Sequence, residues 1–335
     1  MKTSLVGTIL FAALAALEPA APAAAPASGR PPKQAGKSPV KVFILAGQSN
    51  MEGQAVVDLA GKDYNDGRGT LAALLRDPVK GARFKHLRTA DGQWVVRDDV
   101  WVRYQRENAP LLAGSLGIGF AVYGGQHHFG VEYPFGLVVG EHLANQVLLI
   151  KTAWGGKSLD VDFRPPSSGG AVGPYYTKML AQIREALANL KTDFPGYDGR
   201  GYELAGFAWW HGWNDFCDAK ASAAYEQNLI NLIHDLRKDL QSSQLPVVIG
   251  EFTGPWLKDA ADLPAAAQAI RTAQAAAAAR PEFKGTVLFV ETRDFVRKPG
   301  DSPNPSHGHH EFGNAETYFL VGDAMGKGMI SLLKK

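Results

Sequence analysis

Residues 40–46 read VKVFILA and stop at Gly47, an almost unbroken apolar run dense in β-branched and aromatic side chains. Such a run fits a strand covered on both faces, and a strand without a solvent face needs helices above and below it. The rest of the chain supplies them. A second apolar run at 146–152 follows a helical stretch around 135–144, and 174–190 carries apolar residues at helical spacing. Residues 202–210 (YELAGFAWW) read as the next strand, followed by a long amphipathic helix over 221–240 and a short strand at 246–250. An alanine-rich helix over 260–280, a last buried strand at 286–291 (TVLFVE) and a closing helix from near Asn314 towards Leu333 complete the alternation. The expected fold class is α/β, a three-layer α/β/α sandwich with a parallel sheet of about five strands.

Two stretches stand outside this rhythm. Met1 and Lys2, an apolar segment over 5–17 and the small residues 23–25 have the layout of a signal peptide spanning 1–25. The apolar segment is too short for a comfortable membrane span, so no integral span is expected after cleavage, and the protein is expected to be secreted or periplasmic. Residues 26–39, rich in Pro, Ala, Ser and Lys, read as a disordered linker, and the folded domain as 40–335. The second exception is 56–131, rich in Gly and Asp, with apolar alternation at Trp94, Val96, Val100 and Val102. It reads as an insertion carrying a β-hairpin beside the first strand's loop. Ligands of parallel sheets bind at the carboxyl ends of the strands, so an insertion there shapes substrate access.

Composition narrows the classes of function. The formal net charge is +2 with no basic stripe, which speaks against a nucleic-acid partner. Cys217 is the one cysteine, so no intrachain disulfide forms, and its aromatic neighbours mark it as a buried apolar filler.

Four short blocks carry the chemistry, each just after a predicted strand. Gly47-Gln48-Ser49-Asn50-Met51 follows the first, where a tight turn can present a serine hydroxyl and its own N–H to a cleft; helix capping is the alternative use of that serine. Trp154-Gly155-Gly156-Lys157-Ser158 follows the second, and paired glycines let backbone N–H groups face a cleft. His211-Gly212-Trp213-Asn214-Asp215 follows the third, offering an asparagine amide to a developing oxyanion. His307-Gly308-His309-His310 lies between the last strand and last helix and supplies the base a serine needs. The cluster lacks companions at zinc-like spacing, so neither a metal nor another cofactor is expected.

That ordered set, Ser, Gly, Asn, His, resembles the SGNH (GDSL-like) hydrolase superfamily, whose fold is flavodoxin-like. FILAGQSNMEGQ over 43–54 is similar to its carbohydrate-esterase branch, that of sialate O-acetylesterases and acetylxylan esterases, as are KTAWGGKSL at 151–159 and WWHGWND at 209–215. The resemblance implies Ser49 as nucleophile, with its N–H, a Gly155 or Gly156 N–H and the Asn214 side chain as oxyanion hole. It implies His310 as base, chosen over His309 and His307 because HEFGNAETYFLVGDAMG resembles the branch's last block. The superfamily's aspartate three residues before the histidine is here His307. Asp301 is the nearest upstream substitute, with Asp294, Glu291 and Glu251 open, or a Ser–His dyad with no acid. Gln48, Trp154 and His211 are expected to contact substrate, His211 also being a rival base; Trp154, Trp209, Trp210 and Trp213 offer faces to sugar rings, core packing being their other use. The implied partner is an acetylated carbohydrate. A non-catalytic carbohydrate-binding protein and a lipid or thioester esterase on the same scaffold are the other readings.

Overall fold

The computed structural model describes residues 33–256 and 263–334. The apolar runs form the strands they predict. Strands β1 (Lys37–Gly47), β6 (Asn145–Ala153), β7 (Tyr202–Trp210), β8 (Val247–Gly250) and β9 (Val287–Val290) are parallel neighbours. The insertion supplies β2 (Ala55–Val56), β3 (Arg97–Gln105), β4 (Leu111–Leu116) and β5 (His128–Phe129). The main sheet has seven strands in the order β4-β3-β6-β1-β7-β8-β9.

The surplus over five comes from the insertion. Strand β3 adds to β6 in parallel, and β4 closes the edge antiparallel to β3. The expected hairpin therefore exists, but it widens the central sheet instead of standing beside the first loop. Arg103, in the middle of β3, is buried because its guanidinium meets Glu185 and Asp193 at 2.8 and 2.7 Å.

Ten helices are described: α1 (Ser49–Glu52), α2 (Leu71–Arg76), α3 (Gly81–Phe84), α4 (Glu132–His142), α5 (Pro174–Ala188), α6 (Leu190–Asp193), α7 (Trp213–Phe216), α8 (Ala219–Asp239), α9 (Ala265–Ala278) and α10 (Ala315–Leu333). Successive residues of a strand face opposite sides. Phe43 and Leu45 of β1 accordingly pack in the layer of α4 and α10, and Val42 and Ile44 in the layer of α5, α8 and α9. The result is the three-layer sandwich.

The chain entering β1 is more ordered than its composition implies. Gln146 Oε1 accepts the N–H groups of Ala35 and Gly36 at 2.9 and 3.1 Å, and β1 opens at Lys37, within the stretch expected as linker. The expected signal peptide (1–25) and residues 26–32 lie outside the described residues. Among the described residues no helix is long and apolar enough to cross a membrane.

Candidate active site

Register brings the blocks together. Gly47 pairs with Ala153 on one side and Trp210 on the other, Trp210 pairs with Gly250, and Gly250 with Val290. These five residues form one row across the sheet, so the segments after them leave from a common edge. Only glycine fits at 47, where a Cβ would lie 2.2 Å from the Trp210 carbonyl oxygen.

The turn after this row presents one side chain. From Val42 to Val57 every residue is buried except Ser49, which is half-buried. Helix α1 begins at Ser49 with Gln48 as its N-cap and no capping side chain, and the Ser49 hydroxyl makes no hydrogen bond among the described residues. A capping role for Ser49 is therefore ruled out by where the helix starts.

The glycine and asparagine blocks lie alongside. A Cβ on Gly155 would be 3.5 Å from Ser49 Cβ, and Gly155 and Gly156 are exposed. The Gly155 N–H also faces the Glu52 carboxylate, which it helps to keep charged against a burial that raises its pKa. Asn214 donates one amide hydrogen to the Gly156 carbonyl at 2.9 Å. An amide nitrogen carries two hydrogens, and the second is available to a ligand.

His310 stands at the other side of the site, in a loop of 3₁₀ turns leading to α10. It lines a cleft of about 370 Å³ together with Gln54, Asp63, Tyr64, Tyr123, His128, Asn304 and His307. Burial, and then the neighbouring His309 and His307, push its pKa down to about 4, so at neutral pH it is the free base. The His309 ring lies between those of His310 and Trp213, at centroid distances of 4.1 and 6.0 Å.

Comparison with known proteins fits this geometry. Residues 39–315 match the family described as carbohydrate esterase, sialic acid-specific acetylesterase. The chain belongs to this family. Among solved structures, a protein from Arabidopsis thaliana superposes with a TM-score of 0.56 at 17% identity, covering 88% of this chain and 99% of its own. NanS superposes with a TM-score of 0.55 at 14% identity, covering 91% and 98%. No curated protein matches the chain.

Several expected contacts of this carbohydrate esterase turn out to be internal. Gln48 is buried, and its Oε1 accepts the N–H groups of Gly212 and Trp213 at 3.3 and 3.1 Å. It braces the asparagine block against the turn that carries Ser49 and, being buried, is turned away from solvent. His211 is buried too, its Nδ1 3.1 Å from the Tyr225 hydroxyl and its Nε2 2.9 Å from the Lys157 carbonyl. Burial pushes its pKa down to about 3; with both nitrogens engaged it is neither a rival base nor a substrate contact. Of the four tryptophans in these blocks, Trp154, Trp209 and Trp210 are sealed in the core and Trp213 is partly accessible. Cys217, expected to be buried, is exposed just beyond α7.

The proposed acids do not reach the base. Asp301 ends a 3₁₀ turn whose side lines a different cleft with Arg68, Lys80, Arg297 and Glu316. The Glu251 carboxylate is taken by the Thr292 and Arg293 N–H groups and the Arg293 guanidinium, and Glu291 also pairs with Arg293. Asp294 lines a cavity with Arg271 and Arg293. Among the described residues none of these carboxylates hydrogen-bonds a histidine.

Two residue sets escaped sequence reasoning. Beneath the Ser49 turn, the fully buried Lys151 spends all three hydrogens on the Glu52 carbonyl (2.7 Å), the Phe120 carbonyl (2.6 Å) and Glu132 Oε2 (2.7 Å). Tyr104 donates to the Glu52 carboxylate at 3.1 Å. On the other side, Asn50 and Glu311 join the neighbours of Ser49 and His310. The Asn50 amide donates to Glu311 Oε1 at 3.4 Å, Thr253 donates to the same oxygen, and the Tyr318 hydroxyl donates to Asn50 Oδ1 at 2.6 Å. Glu311 is buried with its pKa pushed up to about 7, and Glu311 and Phe312 hold left-handed backbone at φ 49° and 56°, rare for such residues. A glutamate after a histidine cluster carries no sequence sign of burial.

Proposed function

We propose that this esterase removes O-acetyl groups from carbohydrate through a Ser49 acyl-enzyme, and that it acts after export from the cytoplasm. The observation that carries the reading is the lone access of Ser49, at a row where the glycine and asparagine blocks also leave the sheet. Ser49 Oγ attacks the acetyl carbonyl carbon while His310 takes its proton. The oxyanion is met by the N–H of Ser49, a Gly155 or Gly156 N–H and the second amide hydrogen of Asn214. The bond to the sugar oxygen breaks, and that oxygen leaves with the proton from His310. Water then attacks the acetyl-enzyme, His310 again relays the proton, and acetate and free Ser49 result. With no carboxylate on its ring among the described residues, His310 works as a dyad partner.

The cleft favours this over a lipid esterase. An acyl pocket draws about 0.8 kcal/mol from each buried CH₂, whereas the lining beside His310 is histidine, tyrosine, amide and carboxylate without an aliphatic side chain.

The test is acetate release from p-nitrophenyl acetate and acetylated xylan. Ser49→Ala and His310→Ala are each expected to lose at least a thousand-fold in kcat, on the scale of triad removal; activity surviving in Ser49→Ala removes the mechanism. A base whose pKa lies at about 4 also places the acid limb of kcat/KM near there, instead of at the ordinary histidine value of 6.5. A limb near 6.5 would exclude His310 in this neutral, buried state.

A further inference from the structure

Resting on the esterase reading, we propose that Tyr64 and Tyr123, both contributed by the insertion, form the platform on which the pyranose ring of the acetylated substrate lies. Both tyrosines line the cleft that His310 opens on. Tyr123 is 64% exposed, with its ring edge-on to His128 at 4.8 Å between centroids. An exposed aromatic side chain on a mobile loop carries little information, but this one is on anchored backbone. The Val122 N–H donates to the Gly53 carbonyl at 3.3 Å, directly after the nucleophile helix, and Arg106 donates to the Val122 carbonyl at 3.2 Å.

Tyr64 is anchored to the opposite side. Its neighbour Asn65, with φ 46°, donates to the Gly300 and Ser302 carbonyls at 3.1 and 2.9 Å, in the segment that leads to the histidines. One tyrosine is thus tied to the nucleophile turn and the other to the base loop, with the cleft between them. Gln54, Asp63 and Asn304 add amide and carboxylate groups to the same lining. A pyranose matches that combination: its faces present C–H groups to aromatic rings, and its rim presents hydroxyls to amides and carboxylates. Trp154, Trp209 and Trp210, sealed in the core, cannot take this role.

The test uses glucose pentaacetate, a single pyranose with every hydroxyl acetylated, beside p-nitrophenyl acetate, which has no sugar. In Tyr123→Ala and Tyr64→Ala, kcat/KM for the sugar ester is expected to fall about ten-fold relative to that for p-nitrophenyl acetate, mostly through KM. Tyr123→Phe and Tyr64→Phe, which keep the ring, are expected to restore most of the ratio. An unchanged ratio in both alanine variants overturns the platform, as does an equal loss in phenylalanine and alanine variants. Wild type that cleaves p-nitrophenyl acetate but not glucose pentaacetate also overturns it. If wild type cleaves neither ester, the esterase reading fails separately, and calorimetric binding of glucose pentaacetate decides the platform: weaker binding in the alanine variants supports it and equal binding refutes it.

Discussion

The proposed nucleophile and the proposed base of this site are held by opposite means. Ser49 follows a strand locked in register on both sides, over a buried ion pair whose lysine has no unused hydrogen. His310 lies in a loop of 3₁₀ turns, with two left-handed residues after it, steadied by neutral or titratable polar contacts and by the insertion. The first is stiff because the whole sheet must move for it to move. The second depends on a handful of side chains, each worth about 1 kcal/mol. The contrast teaches that a catalytic pair needs only one rigid member if the other is tethered to it, here through Asn50, Tyr318 and Glu311.

Removing a tether on each side measures the contrast. The largest effect is expected from Lys151→Ala, which removes the ion-pair partner of the buried Glu132 and costs on the order of 3–5 kcal/mol. Urea unfolding checks this, and a loss below about 1 kcal/mol would mean the pair does not hold the nucleophile side.

Glu311 comes next, through pH. Its folded pKa of about 7 lies above the ordinary 4.5, so the folded state holds the proton more tightly. The stability this brings is complete below about pH 4.5 and is lost as pH rises through 7, a swing of about 3 kcal/mol. Asp215, also raised to about 7 by burial, acts in the same sense, so the difference between wild type and Glu311→Gln is the measure. The variant is expected to lose less stability than wild type between pH 5 and 8; parallel curves would show that Glu311 stays ionised. The smallest effect is expected from Asn65→Ala, which forfeits two hydrogen bonds and a tolerated left-handed residue, about 1–2 kcal/mol in thermal unfolding. A larger loss there than in Lys151→Ala would reverse the comparison.

The same division governs what can be read from sequence. Strand ends are legible because a nearly unbroken apolar run announces where it stops, and Ser49, Gly155, Gly156 and Asn214 all follow such stops. Strand β3 is legible as half of a hairpin from Val100 and Val102, but its place in the main sheet is masked by charge: Arg97, Asp98, Asp99 and Arg103 break the apolar run, and burial of Arg103 depends on Glu185 and Asp193, far along the chain. Asp301 was chosen for nearness in sequence to His310, a poor guide where the chain turns back on itself, with Asn304 N–H on the Phe312 carbonyl. The tryptophans drew attention as sugar contacts, yet Trp209 and Trp210 belong to a doubly covered strand. The tyrosines that do line the cleft sit in a Gly- and Asp-rich stretch with no periodicity to mark them.

Lys151 also bears on how the chain finds its fold. It lies on β6 between Ile150 and Thr152, facing the layer in which Glu132 waits. A one-residue slip of β6 against β1 would turn its side chain to the opposite face, among Val42, Ile44 and Leu148 and away from Glu132 and the Glu52 and Phe120 carbonyls. An apolar residue at 151 would tolerate either alignment about equally. A lysine penalises the wrong one by the loss of all three of its buried hydrogen bonds, so the residue that steadies the Ser49 turn also proofreads the assembly of the sheet.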